Sequence, residues 1–202
     1  MSTTFEHRRA AAVAFLVEHG ADRTPHVFGD LLLHLTGVED LVRAWGGSDL
    51  LALVALGHAT YGTDGFEPHI LDLSERAVLA ETIGPEAEDL VYFYASCDRA
   101  AFYPQLQDAG SEFGDLTFVD RFTGIERVPS PDYVIRFVDL TYANEAELAA
   151  SSPGGPAEWT WLAEFCRLTR RWATPDFFTG AAALLEMEGP GPGSNVTAEP
   201  VR

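Results

Sequence analysis

Residues that start and stop helices recur along almost the whole chain, and they constrain its fold more than any other feature. Gly46 follows a segment of helical length, Ser48 is a helix-capping residue, and Pro85 occupies a first-turn position. The pattern predicts helices over residues 4–19, 30–45, 49–60, 85–97, 132–150, 157–172 and 175–188, and a further one behind Ser74. Residues 116–119 and 125–128 flank a short turn and predict a β-hairpin. We therefore expect an all-α fold, a helical bundle with one inserted β-hairpin.

The chain of 202 residues has the length of one domain, and no internal repeat or compelling boundary divides it. The run Ser-Ser-Pro-Gly-Gly-Pro at 151–156 breaks the helical pattern between two predicted helices. From Gly189 onward the sequence Gly-Pro-Gly-Pro-Gly-Ser is typical of a disordered tail. We expect a single helical domain over residues 1–188 and a disordered C-terminal tail over residues 189–202.

The charge of the chain limits its partners. The chain has 13 Lys and Arg and 31 Asp and Glu, which gives a net charge of −18 at pH 7. Nucleic acids and anionic membranes are bound by clustered Lys and Arg, so both are disfavoured as partners. No apolar run reaches the roughly 18 residues of a membrane span, no signal peptide is visible, and the two cysteines lack metal-ligand spacing. We expect a cytoplasmic protein that acts on a small molecule, and the sequence also allows a homodimer.

Two histidines and one aspartate are predicted to face the core. His34 shares a helical stripe with apolar residues at 31, 38 and 41, and His58 shares one with residues 51, 54 and 55. Asp139 lies in a strongly apolar stretch of the long helix, and a buried carboxylate must be paired or bound to a metal. Imidazole and carboxylate together suit Fe, Mn, Zn or Co. The alternative for each histidine is a hydrogen-bonded core residue.

These residues resemble the HD-domain superfamily, whose members place a His on one helix, a His-Asp pair at the end of the next, and an Asp on a later helix. His34, His58 and Asp139 resemble these three elements in order, and Asn144 resembles an Asn of the ppGpp-hydrolase branch. The resemblance covers roughly residues 24–150. It implies an HD-like helical fold with one divalent metal on His34, His58 and Asp139.

More narrowly, His26, the helix end at 44–46 and the run at 58–63 look like an uncharacterised bacterial family of HD-like proteins, DUF6817. The chain departs from the superfamily at Ala59, where the His-Asp pair has its Asp. Alanine cannot bind a metal, so the departure argues against a dinuclear centre. The remaining set suits a mononuclear metal with open positions for water, substrate or O₂.

Further residues are candidates for roles around such a centre. His26 is a candidate fourth metal ligand or proton carrier, and Asp64 is a candidate proton carrier. Thr63 and Tyr61 are candidates for positioning the substrate. The candidates for binding substrate are Arg23, Arg136 and Asn144. Each of these groups has a structural alternative, such as a loop residue or a surface ion pair. The sequence leaves open the roles of Asp98 and of the cluster Trp159, Trp161 and Trp172.

The resemblance implies a metal-dependent small-molecule enzyme, by default a hydrolase in which the metal lowers the pKa of a bound water. Three alternatives stay open. An iron-dependent oxygenase would use the metal for O₂ chemistry. A metal-free lyase, isomerase or cyclase would use the pocket histidines as acid and base. A non-catalytic binding module would keep the fold without turnover.

Overall fold

The structure is a computed structural model that describes residues 3–187. Its elements are α1 (Thr3–Glu18), β1 (Pro25–His26), β2 (Gly29–Asp30), α2 (Leu31–Ala44), α3 (Asp49–Gly57), α4 (Arg76–Ile83), α5 (Pro85–Ala95), α6 (Arg99–Gln107), β3 (Phe118–Val119), β4 (Glu126–Arg127), α7 (Pro131–Ser151), α8 (Thr160–Thr169) and α9 (Pro175–Leu184). Short 3-10 turns lie at Leu73–Glu75, Phe113–Asp115, Pro156–Glu158 and Arg170–Trp172. The all-α prediction with a β-hairpin is confirmed. The predicted tail at 189–202 lies outside the described residues.

Side-chain caps explain where the helices that carry the site begin. The Asp30 carboxylate accepts a hydrogen bond from the backbone N of Leu33 at 2.8 Å and starts α2. The Ser48 hydroxyl accepts one from the backbone N of Leu51 at 3.2 Å and starts α3. Such caps satisfy backbone N–H groups that have no partner within the helix. The register of both helices is therefore fixed at their first turns.

The structure differs from the predicted elements in three places. The helix predicted over 85–97 ends at Ala95, because Asp98 accepts a hydrogen bond from the backbone N of Ala101 at 3.0 Å and caps a separate helix, α6. The segment predicted as one helix over 157–172 divides into α8 and a 3-10 turn at each end. A second antiparallel pair, β1 with β2, precedes α2 and was not predicted.

The core is built around α3 and α7. Residues 51–57 of α3 are all buried, as are residues 137–146 of α7. Helices α1, α2, α5 and α7 pack against α3, and α8 and α9 pack against the other side of α7. Within residues 3–187, no helix has the length and apolar character needed to cross a membrane. The polar side chains of α2, α3 and α7 that face inward consequently share one interior region.

Candidate functional site

A cavity of about 180 Å³ lies where α2, α3, α6 and α7 meet. Its lining includes three histidines, an arginine and a carboxyl-bearing residue of α7, together with Thr63, Asp64 and Phe66 from the loop after α3. A larger groove of about 360 Å³ lies between α1, α3 and α5, but its lining contains no histidine. The cavity, and not the groove, therefore holds the titratable groups that could perform chemistry.

His34 is hydrogen-bonded at both ring nitrogens. Its Nδ1 contacts Oε2 of Glu147, and its Nε2 lies 3.0 Å from Oδ1 of Asn144. The amide nitrogen of Asn144 donates to Oε1 of Glu145 at 3.0 Å, which orients Oδ1 toward His34. Both partners of His34 are thus oxygen acceptors, so the arrangement is satisfied when both ring nitrogens carry hydrogen. His34 is placed as a proton donor, with Glu147 holding its orientation.

His26 covers His34 from the β1–β2 hairpin. The two rings are stacked with centroids 4.1 Å apart, and the ring of Phe66 meets His26 edge-on at 4.7 Å. Burial lowers the pKa of His26 to about 4, and the positive charge of His34 acts in the same direction. His26 is consequently neutral at physiological pH and forms one wall of the cavity.

His58 lies at the end of α3 and is fully enclosed. Its Nδ1 donates to the backbone carbonyl of Ala55 at 2.7 Å, and its ring meets His34 edge-on with centroids 5.3 Å apart. Burial lowers the pKa of His58 to about 3, with a further lowering from the charge of His34. The Nδ1 donor leaves the Nε2 lone pair of this neutral imidazole available as an acceptor.

Acidic groups and one arginine complete the cavity wall. The Asp64 carboxylate accepts a hydrogen bond from the backbone N of Arg99 at 2.9 Å, at the start of α6. Oε1 of Glu145 lies 3.8 Å from Nη1 of Arg99. Burial raises the pKa of Glu145, although Arg99, Asn144 and His34 oppose the increase. Burial also acts to raise the pKa of Glu147, but the hydrogen bond and charge of His34 outweigh it and lower that pKa.

The structure does not bring Asp139 to the two histidines. Oδ1 of Asp139 accepts a hydrogen bond from the backbone N of Thr174 at 2.9 Å, on the side of α7 that packs against α9. Asp139 and Asn144 are separated by about 140° around a helix of 3.6 residues per turn. The expectation that Asp139 joins His34 and His58 as a ligand is corrected on this ground.

The residues present do not fit a three-ligand metal centre as arranged. In the described part of the chain, no three His, Cys, Asp or Glu side chains are grouped so that they could hold a metal ion. His34 has no free ring nitrogen, because Glu147 and Asn144 engage both. Ala59 lies in the cavity wall directly after His58 and offers no ligand atom.

Three other predicted residues lie away from the cavity. The Tyr61 hydroxyl donates to Oε1 of Glu88 at 2.9 Å, inside an ion pair between Glu88 and Arg76. Arg23 pairs with its exposed neighbour Asp22 at 3.1 Å. Arg136 pairs with Asp132, one turn earlier on α7, at 2.8 Å. Tyr61, Arg23 and Arg136 do not line the cavity, which counts against the substrate or catalytic roles predicted for them.

The remaining predicted residues are divided between the cavity and the scaffold. His26, Asp64, Thr63 and Asn144 line the cavity together with His34 and His58. Asp98 caps α6, and the tryptophans of the cluster Trp159, Trp161 and Trp172 do not line the cavity.

Sequence reasoning missed three of the charged groups at the site, Arg99, Glu145 and Glu147. Helical spacing held a signal for Glu147, because it lies three residues after Asn144 and so shares its helix face. No comparable signal existed for Arg99, since its helix was not predicted.

The comparison with protein families found a match over part of the chain. A search of curated proteins found no match to the chain. Most of the cavity wall, including His26, His34, His58 and Arg99, lies within a single matched segment, whereas the α7 residues lie beyond it. That segment, residues 15–99, matches the model of a domain of unknown function, DUF6817.

Proposed function

We propose that the cavity binds a small molecule and that His34 and Glu145 perform acid–base chemistry on it without a metal, as in a lyase or an isomerase. The observation that carries the proposal is the arrangement of His34, which lines the cavity as a proton donor held by Glu147. A histidine oriented by a carboxylate is the arrangement that acid–base catalysis uses.

Glu145 supplies the second group. Its carboxyl lines the same cavity, and burial raises its pKa above the ordinary value, which makes the carboxylate a stronger base. In the proposed reaction Glu145 removes a proton from the bound molecule. Nε2 of His34 exchanges its contact with Asn144 for one with the bound molecule and delivers a proton to the atom that gains electron density. Before a ligand binds, Asn144 is bonded to both groups and fixes the distance between them.

Exchange of substrate hydrogens with solvent tests this proposal, and the assay does not require that the product be identified. The protein is dialysed against chelator and incubated in D₂O with a panel of small 2-hydroxy and 2-oxo acids, and deuterium uptake at carbon is followed by NMR. Wild type should catalyse exchange of at least one compound, and His34→Gln should abolish it. His69→Gln, which changes an exposed histidine outside the cavity, is the matched control and should retain the wild-type rate.

Exchange that is absent from the chelated wild type, or unchanged in His34→Gln, contradicts the proposal. Loss of exchange in His69→Gln would show that the assay responds to a general loss of folded protein.

A metal-dependent hydrolase of HD-like fold is the second candidate, and an iron-dependent oxygenase is its variant. The observation in its favour is the contact of His34 and His58, with ring centroids 5.3 Å apart and an available Nε2 on His58. It requires His34 to leave Glu147 or Asn144. Metal analysis of untagged protein purified without chelator tests it: about one Fe, Mn, Zn or Co per chain supports a mononuclear centre.

Ala59→Asp sharpens the metal test, because it places a carboxylate beside His58. Increased metal uptake by this variant supports the HD-like candidate, whereas no uptake by either protein removes it. A protein that binds ligand with neither metal nor exchange activity would be a binding module. We also propose, from the sequence, that the protein is cytoplasmic and forms a homodimer.

A further inference from the structure

The guanidinium group of Arg99 lies on the cavity wall and has hydrogen-bond donors without partners. Its side chain is 17% exposed, and Glu145 provides the nearest charged oxygen, 3.8 Å from Nη1 and beyond hydrogen-bond distance. Within residues 3–187 the side chain has no hydrogen bond, and its Nε is buried without a partner. Burying a charged donor group costs free energy unless an acceptor forms a hydrogen bond with it.

Two tyrosines hold the guanidinium in place. Its carbon lies 5.2 Å from the ring centroid of Tyr94 and 6.0 Å from that of Tyr103. The hydroxyl of Tyr103 is buried and, like Nε of Arg99, lacks a hydrogen-bond partner in the described part of the chain. Contact between a cation and aromatic rings restricts the side chain and orders it before a ligand arrives. Nε of Arg99 and the Tyr103 hydroxyl therefore leave hydrogen-bonding capacity unused beside the cavity.

We propose that Arg99 binds the carboxylate of a small monoanionic substrate in the cavity. The assignment rests on the proposed function only for the reacting groups, His34 and Glu145. A carboxylate offers two oxygens in the plane that a guanidinium recognises. The carboxyl groups of Asp64 and Glu145 also line the cavity, and their charge would repel a phosphate dianion more than a monoanion.

The size of the cavity supports a small ligand. Its volume of about 180 Å³ corresponds to roughly six water molecules at about 30 Å³ each. It is smaller than the roughly 300–1,000 Å³ of most pockets for drug-sized ligands. A short-chain organic acid satisfies both the volume and the charge.

Calorimetric titration with propanoate tests the assignment, with inorganic phosphate as the second probe. Wild type should bind propanoate saturably and more tightly than phosphate. Arg99→Gln should weaken propanoate binding by about tenfold or more, because a charged hydrogen-bond donor is lost. Arg167→Gln, which removes an exposed arginine from α8, is the matched control and should bind as wild type does.

Two further variants keep the test decisive. Glu145→Gln removes the carboxylate beside Arg99 and should tighten propanoate binding. This variant tests the assignment of Arg99 if circular dichroism shows that Arg99→Gln does not fold. His34→Gln should retain propanoate binding while losing exchange activity. If instead His34→Gln keeps its activity, the proposed function fails and the binding assignment stands.

The assignment is overturned by equal propanoate affinity in wild type and folded Arg99→Gln, or by unchanged or weaker binding in Glu145→Gln. It is also overturned if phosphate binds more tightly than propanoate, or if wild type binds neither probe up to about 100 mM, the weak range expected for ligands of this size.

Discussion

Glu147 stabilises the folded protein mainly through the His34 imidazole, and it also accepts a hydrogen bond from the Ser151 hydroxyl at 2.8 Å. Glu147→Gln keeps the shape of the side chain but removes its charge, so it should lower the free energy of unfolding by about 1.5–3 kcal/mol. Because the pKa of Glu147 is lowered in the folded state, this contribution is complete above the ordinary glutamate pKa and is lost as the pH falls through the lowered value. Urea unfolding at neutral and acid pH measures both effects.

Glu164→Gln is the control for that experiment. Glu164 forms an exposed pair with Arg167 at 3.5 Å, and such pairs contribute little to stability. A loss in Glu147→Gln no larger than in Glu164→Gln would contradict the importance assigned to the His34 contact.

Asp139 should make stability depend on pH near neutrality. Burial raises its pKa to about 7, against opposing hydrogen bonds from Thr174 and the charge of Arg136. The folded protein therefore holds a proton that the unfolded chain releases, so stability falls as the pH rises from about 4 to about 7. Asp139→Asn keeps an acceptor for Thr174 and should be more stable than wild type at pH 8, by roughly 1–3 kcal/mol.

Thermal unfolding across this pH range checks the sign of the Asp139 effect. Asp132→Asn, at an exposed carboxylate on the same helix, should leave the pH dependence in place. A wild-type protein whose stability rises from pH 4 to pH 7 with a slope unaffected by Asp139→Asn would contradict the prediction.

The spacing of single residues predicted part of the site and misplaced the rest. Helical periodicity correctly predicted that His34 and His58 face the interior, because each lies on a stripe with apolar neighbours. It could not assign Asp139, because residues 137–146 are buried all around the helix and each face meets a different partner. The contact between Arg99 and Glu145 depends on how α6 packs relative to α7, which spacing within one helix does not contain.

At the scale of elements, the turn after α3 places Thr63, Asp64 and Phe66 on the cavity. The backbone N of Thr63 donates to the carbonyl of Phe66 at 2.8 Å, and the reverse bond is 3.0 Å. Gly62 begins this turn with φ +68°, and a Cβ there would lie 3.0 Å from the carbonyl oxygen of Glu67. The turn therefore requires glycine for both its backbone angle and its close approach.

Gly62→Ala should lower the free energy of unfolding by about 1–3 kcal/mol and weaken ligand binding in the cavity. Chemical unfolding and propanoate titration measure the two effects separately. Gly114→Ala is the control, since a Cβ at that position meets nothing within 4 Å. Full stability of Gly62→Ala would mean that the turn tolerates a side chain and does not fix the cavity wall.

Residues that cap or break helices predicted most elements. They did not predict elements whose position depends on tertiary contacts. Ser48 and Pro85 correctly marked helix starts. The β1–β2 hairpin has only two residues in each strand, too few for an alternating pattern. Its position is set by the stacking of His26 on His34 and by the bond from the backbone N of Leu31 to the carbonyl of Thr24.

At the scale of the whole molecule, the net charge of −18 opposes compaction. Adding NaCl between about 10 and 200 mM should therefore raise the melting temperature, because salt screens repulsion between exposed charges over about a Debye length. The pairs of Arg9 with Glu39 and of Arg76 with Glu88 have buried carboxylates, so they are screened less and retain more of their contribution. A melting temperature that falls over this range would contradict the prediction.

The four tryptophans give the protein an optical property that follows from its packing. None lines the cavity; Trp172 donates to the carbonyl of Leu106 at 2.7 Å, and Trp45 meets the ring of Phe177. Intrinsic fluorescence therefore reports how α8 and α9 dock onto the remaining helices and does not sense the cavity directly. A change in emission when propanoate is added would reveal that occupancy of the cavity moves the C-terminal helices.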